Sequence, residues 1–281
     1  MDGGWHPQAA DAAPAAPRAA PAPWRARAGD AALAAAPVLL LLAAWQVAAA
    51  RGWLPEQILP APALVLQTAR EEIANGDLLA DTLISLRRVA AGFALGAAAG
   101  LTLGGAIGLS RRARAYLEPG LLALGQVPAL GWLPLLILLA GIGEAMKLTV
   151  IAWSAAVPIL LGTSRGLREV PTAWRELGAA LLFGRAAMLR RIILPAALPV
   201  VFTGLREGLA NAWQTMVVAE LFASYAGLGY LMGWGRQLFA LDLVLVAVAV
   251  VAVIGLAMNH ALAVIERRLR PWQAAVAAPP R

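Results

Sequence analysis

Six apolar runs, each long enough to cross a lipid bilayer, constrain this chain more than any other feature of its sequence. A hydrocarbon core about 30 Å thick needs about 20 apolar residues in a helix. Of the 281 residues, 60% are hydrophobic and 14% are charged, whereas a soluble domain is about 45–50% apolar and about 25% charged. The sequence therefore predicts an all-α, polytopic membrane protein with six transmembrane helices, near residues 32–50, 88–109, 119–140, 147–164, 196–221 and 242–264.

The positive charges lie between the apolar runs in a way that predicts the orientation of the chain. The formal net charge is +7, but the basic residues form short clusters rather than one soluble basic face, so we do not expect nucleic-acid binding. With the N-terminus inside, most Lys and Arg residues fall in cytoplasmic segments, as the positive-inside rule requires. We therefore expect a multi-pass membrane protein with N- and C-termini in the cytoplasm.

The composition of the two ends distinguishes them from the transmembrane region 31–270. Residues 1–30 are rich in Ala and Pro with scattered Arg, which predicts a disordered cytoplasmic tail. Residues 271–281 form a second, shorter cytoplasmic tail. The chain contains no cysteine, which excludes disulfides and Cys-based metal sites, and we expect no metal and no cofactor.

Two predicted loops are longer than a simple turn. The external loop, about 51–87, contains several prolines followed by a short polar helix around 63–74. The internal loop, about 165–195, contains Pro171, a helical stretch and then Pro195. Its length, charge and apolar content indicate a docking surface for a partner rather than an ordinary solvated loop.

Glycines recur at every fourth position of the second predicted span. Residues four apart lie on one face of a helix, and small residues at this spacing let two helix backbones approach closely in lipid. The pattern therefore predicts a tightly packed helix face, either in the core of one chain or between two chains. The glycines are Gly92, Gly96, Gly100, Gly104 and Gly108.

Motifs for bond chemistry are absent or lack the context that they need. The sequence has no Walker A pattern, so we expect no ATP hydrolysis by this chain. Residues 162–166 match the spelling G-x-S-x-G, but that motif requires a strand-to-helix turn and a histidine partner. The segment lies at the end of a predicted membrane helix, which leaves an intramembrane hydrolase with Ser164 or His260 only as an alternative.

Polar and charged residues inside the fifth predicted span indicate a pathway-lining helix. A charge at membrane depth costs about 2.5–3.5 kcal/mol on insertion scales and usually faces a cavity or a partner. Structural ion pairs and helix–helix hydrogen bonds explain the same residues equally well, and an ion-coupled secondary transporter using Glu220 and Arg206 is a further alternative. The candidate pathway residues are Arg206, Asn211, Trp213, Gln214, Thr215 and Glu220.

Several residues of the internal loop suit a docking role. Pro171 stops the preceding segment, and Thr172 is a suitable cap for a new helix. Trp174 and Leu177 would present an apolar knob to a groove in a partner, and Glu176 would add an acidic contact for a basic residue there. Pro195 would then mark the re-entry of the chain into the membrane.

The same loop resembles the EAA loop of permease subunits from binding-protein-dependent ABC importers. In that loop a Glu opens a short helix, a small residue follows two positions later, and a Leu-Pro pair closes the segment. Here these residues are Glu176, Gly178, Leu194 and Pro195, with Glu and Pro nineteen positions apart. Together with the wider matches, the resemblance covers about 32–270 and points to the branch that serves aliphatic sulfonates, taurine, nitrate and related small anions. Those matches lie at 53–54, 58–62, 127–130, 141–144, 204–206, 212–213, 219–220 and 227–231.

The resemblance implies the ABC importer permease fold, a location in the bacterial inner membrane and a set of partners. They are a second copy of this chain, two ATPase subunits and a periplasmic or extracellular substrate-binding protein. The ATPase subunits would hydrolyse ATP and move the coupling loop, while this chain would translocate a small anionic solute without bond chemistry. The coupling residues so implied are Thr172, Trp174, Glu176, Leu177, Gly178, Leu182, Gly184, Leu194 and Pro195.

Two positions of the loop depart from the family pattern. The small residue two positions after Glu176 is usually Ala and is here Gly178. The Gly expected six positions after Glu176 is replaced by Leu182, with Gly184 two positions further on. We therefore expect a shifted turn after the docking helix, with either weakened coupling or an altered fit to the partner.

Overall fold

Helices account for all regular structure in the computed structural model, which describes residues 23–53, 55 and 58–269. The first helix, α1, spans Pro23–Ala50 and belongs to a separate unit of the chain. It begins within the segment 1–30 for which the sequence predicts disorder, because its many alanines favour a helix. The rest of that predicted tail, and the second predicted tail at 271–281, lie outside the described residues.

Ten further helices make up the described part of the second unit. The short polar helix predicted in the external loop is the first of them, and the helix predicted in the internal loop is the sixth. These helices are α2 (Pro62–Asn75), α3 (Asp77–Leu109), α4 (Arg111–Gly125), α5 (Leu133–Ala140), α6 (Glu144–Arg168), α7 (Thr172–Ala180), α8 (Arg185–Met188), α9 (Leu194–Ala223), α10 (Leu228–Gln237) and α11 (Leu241–Leu269).

Four helical segments of the described chain are long and apolar enough to cross a membrane by themselves: α3, α6, Arg185–Ala223 and α11. They correspond to the predicted second, fourth, fifth and sixth spans. However, α3 begins at Asp77 rather than near residue 88, because Gly76 (φ 84°) ends α2 in the left-handed conformation and Asp77 opens the next helix. In α1, Leu39–Ala50 is a shorter apolar stretch, so the first span and the count of six stay predictions.

The predicted third span is wrong as a single continuous helix. A short 3-10 turn, Ala129–Trp132, separates α4 from α5, and the two helical segments are bent by 87°. Pro128 precedes this turn, and a proline both lacks an N–H and disfavours helix at the residue before it. The region is therefore a broken span or a re-entrant loop rather than a straight helix.

The glycine stripe of α3 packs against α6 of the same chain. A Cβ atom at Gly100 would lie 2.8 Å from the carbonyl oxygen of Ala156, and one at Gly104 would lie 2.6 Å from that of Leu160. Gly96 faces the backbone of α6 in the same way. Of the two predicted uses of the stripe, the structure shows the contact within one chain.

Small residues also allow α6 to pack closely against α9. This packing accounts for Gly162, the first glycine of the G-x-S-x-G match. A Cβ atom at Gly162 would lie 2.9 Å from the Cα atom of Gly204. Ser164 lies two residues further along the same regular helix, α6, and not at a strand-to-helix turn. His260 is exposed on α11. The intramembrane hydrolase alternative therefore lacks the local geometry that its nucleophile requires.

Candidate functional site

The internal loop presents an exposed apolar surface on and after α7, which we name the α7 knob and define as Trp174, Leu177, Leu181 and Leu182. These side chains are 52%, 59%, 57% and 91% exposed, respectively. Glu176 is exposed beside them. The predicted apolar surface with an acidic neighbour is thus present, and Leu181 enlarges it beyond the residues that the sequence pointed to.

The predicted helix cap of α7 is wrong in one detail. The helix begins at Thr172, but Pro171 occupies the capping position and no side chain caps the helix. Pro171 has an extended conformation (φ −52°, ψ 136°), so its ring ends the preceding segment without a capping hydrogen bond. Thr172 is exposed at the first helical position.

The turn after α7 is closed by a left-handed residue, Leu182 (φ 55°). The N–H of Phe183 donates to the carbonyl of Gly178 at 3.0 Å, and the N–H of Leu182 donates to that of Ala179 at 2.9 Å, which is a Schellman helix end. Gly184 has φ −64°. The expected shift of the turn toward Gly184 is therefore wrong, and Leu182 occupies the position where glycine is favoured.

The opposite side of α7 rests on the helix that leads into α9. A Cβ atom at Gly178 would lie 2.5 Å from Cδ1 of Ile192 and 2.8 Å from Cε of Met188. Arg175 donates to the carbonyl of Leu167 at 3.0 Å, which ties α7 to the end of α6. The knob is therefore held against two membrane helices, with its apolar face directed away from them.

The Leu-Pro pair lies inside a continuous helical segment and not at its start, so the re-entry of the chain into the membrane at Pro195 stays a prediction. The helical segment is continuous over Arg185–Ala223, and a π-helical turn, Leu189–Ile193, precedes Leu194 and Pro195. A π turn shifts the hydrogen-bond pattern locally, and single turns of this kind occur inside α-helices, often at functional sites. The residues that contact α7, Met188 and Ile192, therefore belong to the same continuous helical segment as α9.

Three of the predicted pathway residues line one cavity beside the break between α4 and α5. Asn211, Gln214 and Thr215 of α9 face this space of about 340 Å³. Ser154, near the middle of α6, and Pro128, at the break, line the other sides. The polar side chains around the cavity are uncharged.

The other predicted residues on α9 have different surroundings. Arg206 pairs with Glu266 of α11, and the indole N–H of Trp213 donates to the carbonyl of Val251 at 3.2 Å. Both side chains also border a second cavity of about 710 Å³ between α9 and α11, which Gln214 reaches as well. Arg206 and Trp213 therefore join two helices at the edge of a cavity.

Glu220 lies in a buried ion cluster rather than at an open surface. Its side chain is 0% exposed. The carboxylate accepts hydrogen bonds from Nη1 of Arg88 at 2.8 Å, from Oγ of Ser85 at 2.8 Å, and from the N–H of Gly229 at 3.0 Å. Of the two interpretations that the sequence left open for this residue, the contacts match the structural ion pair.

Arg88 extends the cluster to α6. Its Nε and Nη2 atoms donate to the two carboxylate oxygens of Glu144 at 2.9 and 2.5 Å. Lys147 pairs with the same carboxylate at 2.8 Å. Two cations and two anions thus join α3, the start of α6 and the end of α9 to the start of α10. Arg88 is not among the predicted site residues, because its only signal in the sequence is a basic residue beside an apolar run.

Comparison with known proteins places these features in a family. The family described as "Binding-protein-dependent transport system inner membrane component" matches residues 92–271, more than half of the chain. The putative aliphatic sulfonates transport permease protein SsuC of Bacillus subtilis is 35% identical over 234 residues, which are 83% of this chain and 85% of that protein.

Two further relatives and one solved structure are similar over comparable lengths. The taurine transport system permease protein TauC of Escherichia coli is 32% identical over 242 residues, covering 84% of this chain and 88% of that protein. The riboflavin transport system permease protein RibX of Chloroflexus aurantiacus is 38% identical over 237 residues, with the same two coverages, 84% and 88%. The inward-facing MetNI methionine ABC transporter has a similar fold, with a TM-score of 0.58 at 18% identity over 70% of this chain and 98% of that chain. This chain belongs to the family of binding-protein-dependent transport system inner membrane components.

Proposed function

We propose that this permease carries a small anionic solute of the aliphatic sulfonate, taurine or nitrate type across the bacterial inner membrane, powered by a separate ATPase. The observation that carries the proposal is the similarity to permeases named for aliphatic sulfonates and for taurine over more than four fifths of the chain. The cavity beside α9, whose polar lining residues are uncharged, is compatible with such a solute. The working assembly contains two copies of this chain, two ATPase subunits and an external substrate-binding protein.

The α7 knob is the contact that couples the permease to its ATPase. The four large apolar side chains of the knob lie outside the membrane helices and are exposed to water. Burial in a groove of a partner would remove them from water, which is favourable. Glu176, at its side, provides an anion for a basic residue of the partner. Because α7 rests on Met188 and Ile192, a displacement of the knob moves the helix that continues into α9. Movement of α9 changes the cavity that Asn211, Gln214 and Thr215 line, which is how ATP-driven motion would open the pathway alternately to each side.

Replacing Glu176 with Lys tests this contact. A charge pair at an interface that loses one partner costs about 2–5 kcal/mol when water is excluded and at most about 1 kcal/mol at an exposed rim. We expect the former, so Glu176→Lys and Trp174→Ala should each reduce recovery of the ATPase on tagged permease by at least about tenfold. The measurement is a pull-down from membranes together with an uptake assay.

The matched control is Glu169→Lys, which makes the same charge change at an exposed residue between α6 and α7. It should leave ATPase recovery and uptake at the level of the unmodified chain. Equal recovery for Glu176→Lys, Trp174→Ala and Glu169→Lys would show that the α7 knob does not couple the two subunits.

Labelling of single cysteines tests the proposed orientation. The chain contains no cysteine, so each introduced thiol is the only target of a membrane-impermeant maleimide. Cysteines at Asn75 and Gln237, the last residues of α2 and α10, should react from outside intact cells. A cysteine at Gly184, next to the knob, should react only after the membrane is permeabilised. External labelling at Gly184 would contradict the orientation.

A further inference from the structure

We propose that the cavity beside the α4–α5 break contains a subsite for a small anion, formed by two backbone N–H groups and the hydroxyl of Thr215. The N–H groups are those of Ala129 and Leu130. All three residues line the same space of about 340 Å³. The subsite deepens the proposed transport function, on which it rests, by assigning the position where the anionic group of the solute is held.

The break in the third span creates a helix start inside the membrane region. Pro128 has an extended conformation (φ −52°, ψ 139°), and the 3-10 turn Ala129–Trp132 begins directly after it and continues into α5. The first N–H groups of a helix have no partner within the helix. Gly131 donates to the carbonyl of Pro128 at 2.8 Å, but Ala129 and Leu130 donate to no group within 23–53, 55 and 58–269.

An unpaired N–H group is costly in a membrane, where water is scarce and irregular backbone is tolerated only beside protein or a cavity. The start of a helix also carries a partial positive charge equivalent to about half an elementary charge, and helix starts commonly bind anions. The two N–H groups therefore favour an acceptor with negative charge in the adjoining cavity.

Thr215 is an independent sign of a ligand in this cavity. Its side chain is 7% exposed, and its hydroxyl forms no hydrogen bond with any residue within 23–53, 55 and 58–269. Helical threonines can donate back to a carbonyl one turn earlier, and Thr102, Thr149 and Thr203 of this chain do so at 2.7, 2.7 and 3.1 Å. The hydroxyls of Thr163 and Thr215 do not, and Thr215 borders the cavity.

The remaining polar groups of the cavity suit an anion that must also be released. Asn211 and Gln214 add amide N–H donors, while the hydroxyl of Ser154 donates back to the carbonyl of Ile151 at 2.8 Å. The described lining contains no carboxylate that would repel an anion and no cation that would hold it tightly. Neutral donors at a helix start bind an anion weakly, as conduction requires. A sulfonate, sulfate or nitrate group has the acceptor oxygens that this arrangement needs.

The fluorescence of Trp153, which lines the cavity, tests the subsite directly. The purified full chain in neutral detergent is titrated with iodide or caesium, an anionic and a cationic quencher, at constant ionic strength. The difference from Trp153→Phe isolates the contribution of this tryptophan. We expect iodide to quench that contribution at least about threefold more strongly than caesium, and inorganic sulfate to relieve the quenching by iodide.

Gln214→Glu places a carboxylate in the cavity and should remove the preference for iodide. Asn259→Asp makes the same chemical change in the second cavity and should leave the preference intact. Equal quenching by iodide and caesium in the unmodified chain, or an unchanged preference in Gln214→Glu, would overturn the proposal. These outcomes do not depend on the ATPase, so they stand apart from the pull-down that tests the proposed function.

Uptake of labelled taurine, ethanesulfonate or nitrate by the assembled transporter gives the second measurement. Thr215→Val removes the hydroxyl with little change in volume, and we expect at least about a tenfold lower uptake rate with unchanged ATPase recovery. Thr102→Val removes a hydroxyl that bonds within α3 and should keep the original rate. Full uptake by Thr215→Val would count against the subsite.

Discussion

Leucine in place of Gly100 is expected to abolish the folded permease. A Cβ atom there would already lie 2.8 Å from the carbonyl oxygen of Ala156 and 2.8 Å from Cβ of Ile159, so a larger side chain must separate α3 from α6. Overpacking a core typically costs about 1–3 kcal/mol and occasionally more. The cost should reach the upper end or exceed it, because the obstacle is helix backbone rather than a flexible side chain.

Gly105 provides the matched control for this substitution. It lies on the same helix, and no atom lies within 4 Å of a Cβ atom built there. The yield of monodisperse protein in detergent and its thermal unfolding should therefore be nearly unchanged by Gly105→Leu and mostly lost with Gly100→Leu. Similar yields for the two variants would show that α3 and α6 do not pack through the glycine stripe.

Replacing Arg88 with Met is expected to destabilise the permease by about 3–5 kcal/mol, the range for breaking a buried charge pair by removing one partner. The substitution leaves the carboxylate of Glu220 enclosed, with Ser85 and the N–H of Gly229 as its remaining donors. It also removes the bidentate contact with Glu144. Helices α3, α6 and α9 should then separate more easily, because the ion cluster no longer joins them.

The neighbouring residue serves as the control. Arg87 is exposed, so Arg87→Met should change the unfolding temperature in detergent by little. The double variant Arg88→Met with Glu220→Gln should recover part of the loss, because the uncompensated carboxylate is gone. An Arg88→Met chain as stable as Arg87→Met would mean that the cluster contributes little to stability.

The bilayer is the reason that so much of the fold could be predicted from the sequence. Spanning segments must satisfy their backbone hydrogen bonds internally, so long apolar runs such as those of α6 and α11 become helices wherever they occur. Hydropathy does not show whether an apolar run forms a straight or a bent helix, however. The run 119–140 is apolar on both sides of its 87° bend. Only Pro128 signals that break, and Pro37, Pro119, Pro158 and Pro199 all lie inside helices.

The site was predictable where it depends on local sequence and not where it depends on distant contacts. The exposed Trp174 and Leu177 follow from helical spacing within one short segment. The partners of Glu220 do not, because Arg88 and Glu144 are far away in the chain and meet only after three helices pack. The conformation of Leu182 was also missed, since leucine rarely adopts a positive φ and the hydrogen bonds of the helix end hold it there.

Transport by a reconstituted complex tests the central claim most directly. The permease and its ATPase are placed in proteoliposomes with ATP in the lumen, and uptake of labelled taurine, ethanesulfonate and nitrate is measured with the binding protein outside. We expect accumulation of at least one of these solutes that requires luminal ATP and is lost when the ATPase is omitted or when Glu176 is replaced with Lys. Accumulation by the permease alone, driven by an imposed proton or sodium gradient, would contradict the account.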